Sequence, residues 1–117
     1  PIRKYFFGDY KKQIQIIERF SKLNKKSKLL DVGGGTGIIA RAFLDKVNEV
    51  TIIDPSLGML SKVPSIKIKK VIGVVQKMPF KDNNFDVVYC VDSFHHFTND
   101  YNKKEWLKVI KNLLKSY

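Results

Sequence analysis

Leu29-Leu30-Asp31-Val32-Gly33-Gly34-Gly35-Thr36-Gly37 decides the reading of this 117-residue chain. Lys28 to Val32 is a short apolar stretch of strand character. Ile38, Ile39, Ala42 and Phe43 then recur at helical spacing, so the glycines join a strand to a helix. Glycines at such a junction permit positive φ and let a ligand come close to the backbone. The helix that follows begins near Gly37, and its unpaired N–H groups favour an acceptor. A glycine-rich turn alone is weak evidence, and the surrounding residues supply the rest. Val50-Thr51-Ile52-Ile53 reads as a second buried strand and ends in Asp54-Pro55. Asp54 stands 17 residues beyond Gly37, and an acidic residue at about that distance can accept both ribose hydroxyls of a nucleoside.

The rest of the chain continues the alternation. Ile14, Ile16, Ile17, Phe20 and Leu23 predict an amphipathic helix over residues 9–24, with Tyr5, Phe6, Phe7 and Tyr10 forming an aromatic cluster ahead of it. Ser56 is placed to cap a short helix carrying Met59 and Leu60. Residues 66–75 contain a third strand. Phe85-Asp86-Val87-Val88-Tyr89-Cys90-Val91 predicts a fourth, apolar enough after Asp86 to be covered on both faces. Trp106, Leu107, Val109, Ile110, Leu113 and Leu114 mark a final helix. Strands alternating with helices predict the α/β class, an open parallel sheet with helices on both faces. Ligands of such sheets bind at the carboxyl ends of the strands, which is where the glycines fall.

Two nucleoside ligands can be told apart. The dinucleotide fingerprint is G-x-G-x-x-G, but here the third glycine arrives one residue early, at Gly37, and Ile38 holds the dinucleotide position. Asp31 lies two residues before Gly33. A carboxylate there repels a pyrophosphate and suits the ammonium of an amino acid, through charge-assisted hydrogen bonds. A nucleoside with an amino-acid tail and a positive sulfonium, S-adenosylmethionine, fits such a pocket. No G-x-x-x-x-G-K-[ST] segment occurs, which excludes a P-loop.

At these residues the chain resembles the class I S-adenosylmethionine-dependent methyltransferases, in particular the type 11 branch that includes the ubiquinone and menaquinone methyltransferases. Leu29 to Gly37 resembles the family's first motif and Thr51 to Leu60 its second. Gly73 to Phe80 resembles the third, and Asp82 to Phe97 the fourth. The resemblance covers residues 25–115 and implies a Rossmann-like sheet of strand order 3-2-1-4. It implies a cofactor set of Asp31, Gly33, Gly34, Gly35, Gly37, Asp54, Pro55, Met59, Val74, Val75, Gln76, Val91 and Asp92. Asp54 would serve as the ribose carboxylate, and Met59 would lie near the adenine. The expected activity is methyl transfer to a small-molecule acceptor. Alignment of acceptor and methyl group is the main demand of that reaction, so no catalytic side chain is assigned. His95 and His96 follow the fourth strand, where one could touch substrate or act as base; the alternative is packing against the next helix.

Two departures stand out. The family places Gly-Asp-Ala in its third motif, the Asp holding the adenine amino group, and Val74 occupies that place here. Gln76 or a backbone carbonyl would have to accept that hydrogen bond, at a net loss of about 0.5–1.5 kcal/mol if none does. The family domain also has seven strands, and this sequence stops after the helix that follows the fourth. The expectation is one partial cofactor-binding domain over residues 1–117, truncated at its C-terminus, or a fourth-strand edge covered by a second copy in a homodimer. A degenerate, non-catalytic cofactor-binding or partner subunit is the alternative reading of both departures.

Charge and composition bound the remaining options. The net charge is +11, from 22 Lys+Arg against 11 Asp+Glu. Residues 1–30 carry +7 and residues 101–117 carry +4, whereas residues 31–60 carry −2. Basic ends can hold an anionic partner such as RNA, which makes an RNA methyltransferase fragment a further alternative. Nearly all the cations are Lys, spread along the chain, as on a solvated surface. The apolar runs are far too short to span a membrane. The single Cys90 excludes an internal disulfide and suits a reducing compartment, so the expected location is cytoplasmic. It also leaves no Cys/His set with metal-ligand spacing.

Overall fold

The β-branched run Val50 to Ile53 becomes one of the two inner strands of a four-stranded sheet among the described residues, where crowded side chains pack well on a pleated surface. The computed structural model describes residues 2–33, 35, 37–63, 67–74, 77, 79–90, 108–109 and 111–112, with residues 2–9 as backbone only. Among the described residues the order is α1 (Ile2–Phe20), β1 (Lys28–Val32), α2 (Ile38–Ala42), β2 (Glu49–Asp54), α3 (Leu57–Leu60), β3 (Ile68–Ile72) and β4 (Val87–Tyr89). All three strand pairings are parallel and the order is β3-β2-β1-β4, as the resemblance implies.

Two apolar layers cover the sheet. On one face Leu29, Val50, Ile52 and Tyr89 pack with Ile17 of α1, Ile39 and Ala40 of α2, Phe43 just beyond it, and Leu60 and Val63 around α3. On the other face Leu30, Val32 and Ile53 pack with Phe85, joined by half-buried Phe80, Val88 and Val109. Alternation along β1 therefore sends odd-numbered residues to the first face and even-numbered ones to the second. Phe85 and Phe80 meet edge-on, with centroids 5.1 Å apart and planes at 87°, an arrangement that suits the quadrupoles of the rings.

The segment Asn84-Phe85-Asp86 sets the register of β4. The Asp86 amide donates to the Lys28 carbonyl at 2.9 Å, and the Lys28 amide donates back to Asp86 Oδ2 at 2.8 Å. Lys28 Nζ reaches Asn84 Oδ1 at 3.1 Å. With Phe85 fully buried beneath them, these bonds align Leu29 with Val87 and Asp31 with Tyr89. The opposite edge strand, β3, exposes Lys69 and Lys70, and Lys69 pairs with Glu49 of β2 at 3.1 Å. Lysines on an edge discourage pairing with another chain.

Some boundaries differ from the expectation. The first helix begins at residue 2, not 9, and ends at Phe20. Tyr5, Phe6, Phe7 and Tyr10 thus lie within it, not ahead of it. No proline interrupts residues 2–20, and Gly8 costs a helix interior only about 1 kcal/mol, too little to break nineteen residues. The third strand, Ile68–Ile72, does lie within residues 66–75. In the fourth, Val87 and Val88 are half-buried, so the described residues do not cover both of its faces. Of the final helix, residues 108–109 and 111–112 are helical, and the other residues predicted for it lie outside the described set.

Ile52→Val removes one methylene from a site with no solvent exposure and should lower stability by about 0.5–1.5 kcal/mol. Leu57→Ala, at a side chain 66% exposed, should stay within about 0.5 kcal/mol of wild type. Urea denaturation of the two variants checks the contrast.

Candidate functional site

The carboxyl ends of β1, β2 and β3 meet around the glycine loop. As β1 leaves the sheet, the Gly33 amide donates to the Ile53 carbonyl at 2.7 Å. Gly33, Gly35 and Gly37 all take positive φ, at 70°, 57° and 80°, a region that costs other residues about 1–2 kcal/mol. Space is short as well. A Cβ on Gly37 would stand 3.3 Å from Val63 Cγ1 and 3.4 Å from Ile52 Cδ1, and one on Gly35 would stand 3.4 Å from Met59 Cε. Backbone hand therefore favours glycine at all three positions, and at Gly37 room does as well.

Asp54 closes β2 and is 8% exposed. Its Oδ1 accepts the Ser56 amide at 2.8 Å, and its Oδ2 accepts the Gly35 amide at 3.3 Å. A buried carboxylate thus ties the glycine loop to the turn that starts α3. Each of its oxygens carries a second lone pair, so it can still accept hydroxyl groups from a ligand. Ser56 caps α3 as expected, accepting the Met59 amide at 3.1 Å. This fixes Met59 beside Gly35, with its side chain 37% exposed, and leaves Pro55 on the surface.

The third wall follows β3. The Gly73 amide donates to the Asp54 carbonyl at 3.2 Å. A Cβ on Gly73 would fall 2.8 Å from Ile53 Cδ1, so a glycine lets this turn lie close against β2. Val74 comes next, 40% exposed, and its carbonyl accepts the Lys77 amide at 3.1 Å. Asp31, Gly33, Gly35, Gly37, Asp54, Pro55, Met59 and Val74 are therefore gathered at one edge of the sheet. Gly34, Val75, Gln76, Val91, Asp92, His95 and His96 lie outside the described residues.

Asp31 is 3% exposed and aligns with Tyr89 across β1 and β4. Burial pushes the Tyr89 phenol well above its ordinary value of 10.0, and the negative charge of Asp31 and a hydrogen-bonding interaction with its carboxylate add to that. The geometry falls short of a well-formed hydrogen bond from the buried hydroxyl to any described residue. The sequence alone points to a ligand role for neither Tyr89 nor Gly73, although both fall within the motif segments. Tyr89 reads as one more apolar strand residue, and Gly73 betrays its role only through the side chain of Ile53. No group of three or more His, Cys, Asp and Glu could hold a metal among the described residues, and no described helix is long and apolar enough to cross a membrane.

Residues 30–116 match a family model described as a methyltransferase domain. An uncharacterized methyltransferase of Schizosaccharomyces pombe is 30% identical over 110 residues, covering 88% of this chain and 43% of that protein. The ubiquinone/menaquinone biosynthesis C-methyltransferase UbiE of Laribacter hongkongensis is 31% identical over 94 residues, covering 72% of this chain and 38% of that one. The crystal structure of YcgJ from Bacillus subtilis superposes with a TM-score of 0.77 at 22% identity, covering 88% of this chain and 46% of that one; that likeness concerns the fold alone. The chain spans less than half the length of each of these proteins.

The raised Tyr89 value has a signed consequence. The unfolded chain releases its phenolic proton near the ordinary value of 10.0 while the folded chain retains it, so stability is complete below about pH 10 and falls as pH rises beyond it. Melting curves should show a steeper loss above about pH 10 for the wild type than for Tyr89→Phe. Identical slopes would contradict a perturbed phenol.

Proposed function

Since the chain belongs to the methyltransferase domain family, we propose that it binds S-adenosylmethionine at the glycine loop and serves methyl transfer to a small-molecule acceptor. The observation that carries the reading is the buried Asp54 carboxylate, held by Gly35 and Ser56 with lone pairs to spare. Those lone pairs suit the two ribose hydroxyls. Gly33, Gly35 and Gly37 take the positive φ that lets the loop bring its backbone to a ligand, Met59 offers an apolar wall for the adenine, and Asp31 offers a charge for the ammonium. Gly34, Val75, Gln76, Val91 and Asp92 complete the proposed set. The cofactor itself supplies an activated methyl group. The protein's part is to hold it and to align the acceptor, which is where most of the rate advantage of such a site arises.

One observation favours a second reading, a binding or partner subunit without turnover. On the family resemblance Val74 stands where a carboxylate would receive the adenine amino group, and its side chain can accept no hydrogen bond. Weakened adenine recognition is compatible with binding and less so with efficient turnover. Release of S-adenosylhomocysteine by the protein in the presence of a small-molecule acceptor fraction would eliminate this reading.

Calorimetric titration with S-adenosylmethionine and S-adenosylhomocysteine should give saturable heat for both. Asp54→Ala should weaken both by about 10- to 100-fold, as expected for losing hydrogen bonds to a charged acceptor. Asp54→Asn, which keeps the shape and one acceptor oxygen, should fall between. No heat at millimolar cofactor would refute the proposal.

A further inference from the structure

On the reading that this chain binds S-adenosylmethionine, we infer that Tyr89 is a positioning residue: its hydroxyl orients the buried Asp31 carboxylate toward the ammonium of the cofactor's amino-acid moiety. Asp31 and Tyr89 are register partners on adjacent parallel strands, so their side chains rise from the same face of the sheet. Both are buried, at 3% and 8% exposure. The phenol ring is held against Phe43, with centroids 6.3 Å apart and planes at 52°, and it belongs to the apolar cluster under α1 and α2. A phenylalanine would make the same contacts. The hydroxyl is then the part that packing leaves unexplained, because it is buried without a well-formed hydrogen bond to a described residue. Such groups are rare in folded proteins, and each calls for a reason.

Asp31 supplies that reason. Its charge acts on the phenol, and burial keeps the phenol protonated throughout the neutral range. Tyr89 is therefore a permanent donor facing a carboxylate. A hydrogen bond to an ionised acceptor is short and directional. Drawn to one Asp31 oxygen, it constrains the plane of the carboxylate, whose lone pairs outnumber one donor.

The test compares S-adenosylhomocysteine, which carries the amino-acid tail, with 5′-methylthioadenosine, which lacks it. Tyr89→Phe should lower the affinity for S-adenosylhomocysteine by about threefold to tenfold, as expected for one hydrogen bond to a charged group. Its affinity for 5′-methylthioadenosine and its melting temperature at neutral pH should stay at or above the wild-type values. In an Asp31→Ala background, which leaves the hydroxyl no side-chain acceptor at that position, the same substitution should have no further effect, since a pairwise interaction vanishes once either partner is gone. Equal losses for both ligands, no loss for either, or a full additional loss in the Asp31→Ala background would each overturn the inference. A wild-type protein that binds neither ligand would instead overturn the cofactor reading on which it rests.

Discussion

The bond from the buried Asp54 carboxylate to the Gly35 amide is the constraint around which the site is arranged. It joins the ends of two adjacent strands whose register is already matched, Val32 beside Ile53, and it works together with the Gly33 amide on the Ile53 carbonyl. A loop held at both points has little freedom left, and the positive φ angles of Gly33, Gly35 and Gly37 are what allow the chain to pass between them. The same carboxylate anchors Ser56, which caps α3 and so places Met59. One charged group thereby organises the loop, the helix start and the apolar wall.

The sheet beneath makes this arrangement affordable in energetic terms. Ile52, Ile53, Leu29, Leu30 and Val32 are all but fully buried, and apolar burial is the largest favourable contribution to folding. Polar groups are concentrated at the carboxyl ends of the strands. Asp31 and Asp54 are buried there, where their cost must be offset by hydrogen bonds. The basic excess of the chain lies elsewhere: Lys69 and Lys70 guard the β3 edge, and residues 31–60, which hold most of the site, carry −2. This separation of charge favours a cationic ligand moiety at the strand ends over a phosphate.

The parts legible in sequence were those governed by local rules. The strand Lys28–Val32, the β-branched strand before Asp54 and the Ser56 cap each follow from a few neighbouring residues, whereas the strand order came from the family resemblance. Asp54's place at the end of a strand, beside the glycine loop, was legible from its fixed distance to the glycines. Tyr89, Gly73 and Asp86 were not legible as site or register residues, because their roles depend on partners far along the chain: Asp31, Ile53 and Lys28 respectively. The start of α1 was missed for a different reason. The aromatic run Tyr5-Phe6-Phe7 gives no helical period, yet a helix needs only the absence of a breaker to continue through it.

The central claim is that the Asp54-tethered glycine loop is where the cofactor binds. Backbone amide NMR of the protein titrated with S-adenosylhomocysteine tests it most directly. The account predicts that the largest shifts fall on the amides of Gly33, Gly35, Gly37 and Ser56, while Lys69 and Lys70 of β3 and Lys11 and Lys12 of α1 stay in place. Shifts centred on the β3 edge or on α1, or no shifts at millimolar ligand, would contradict it.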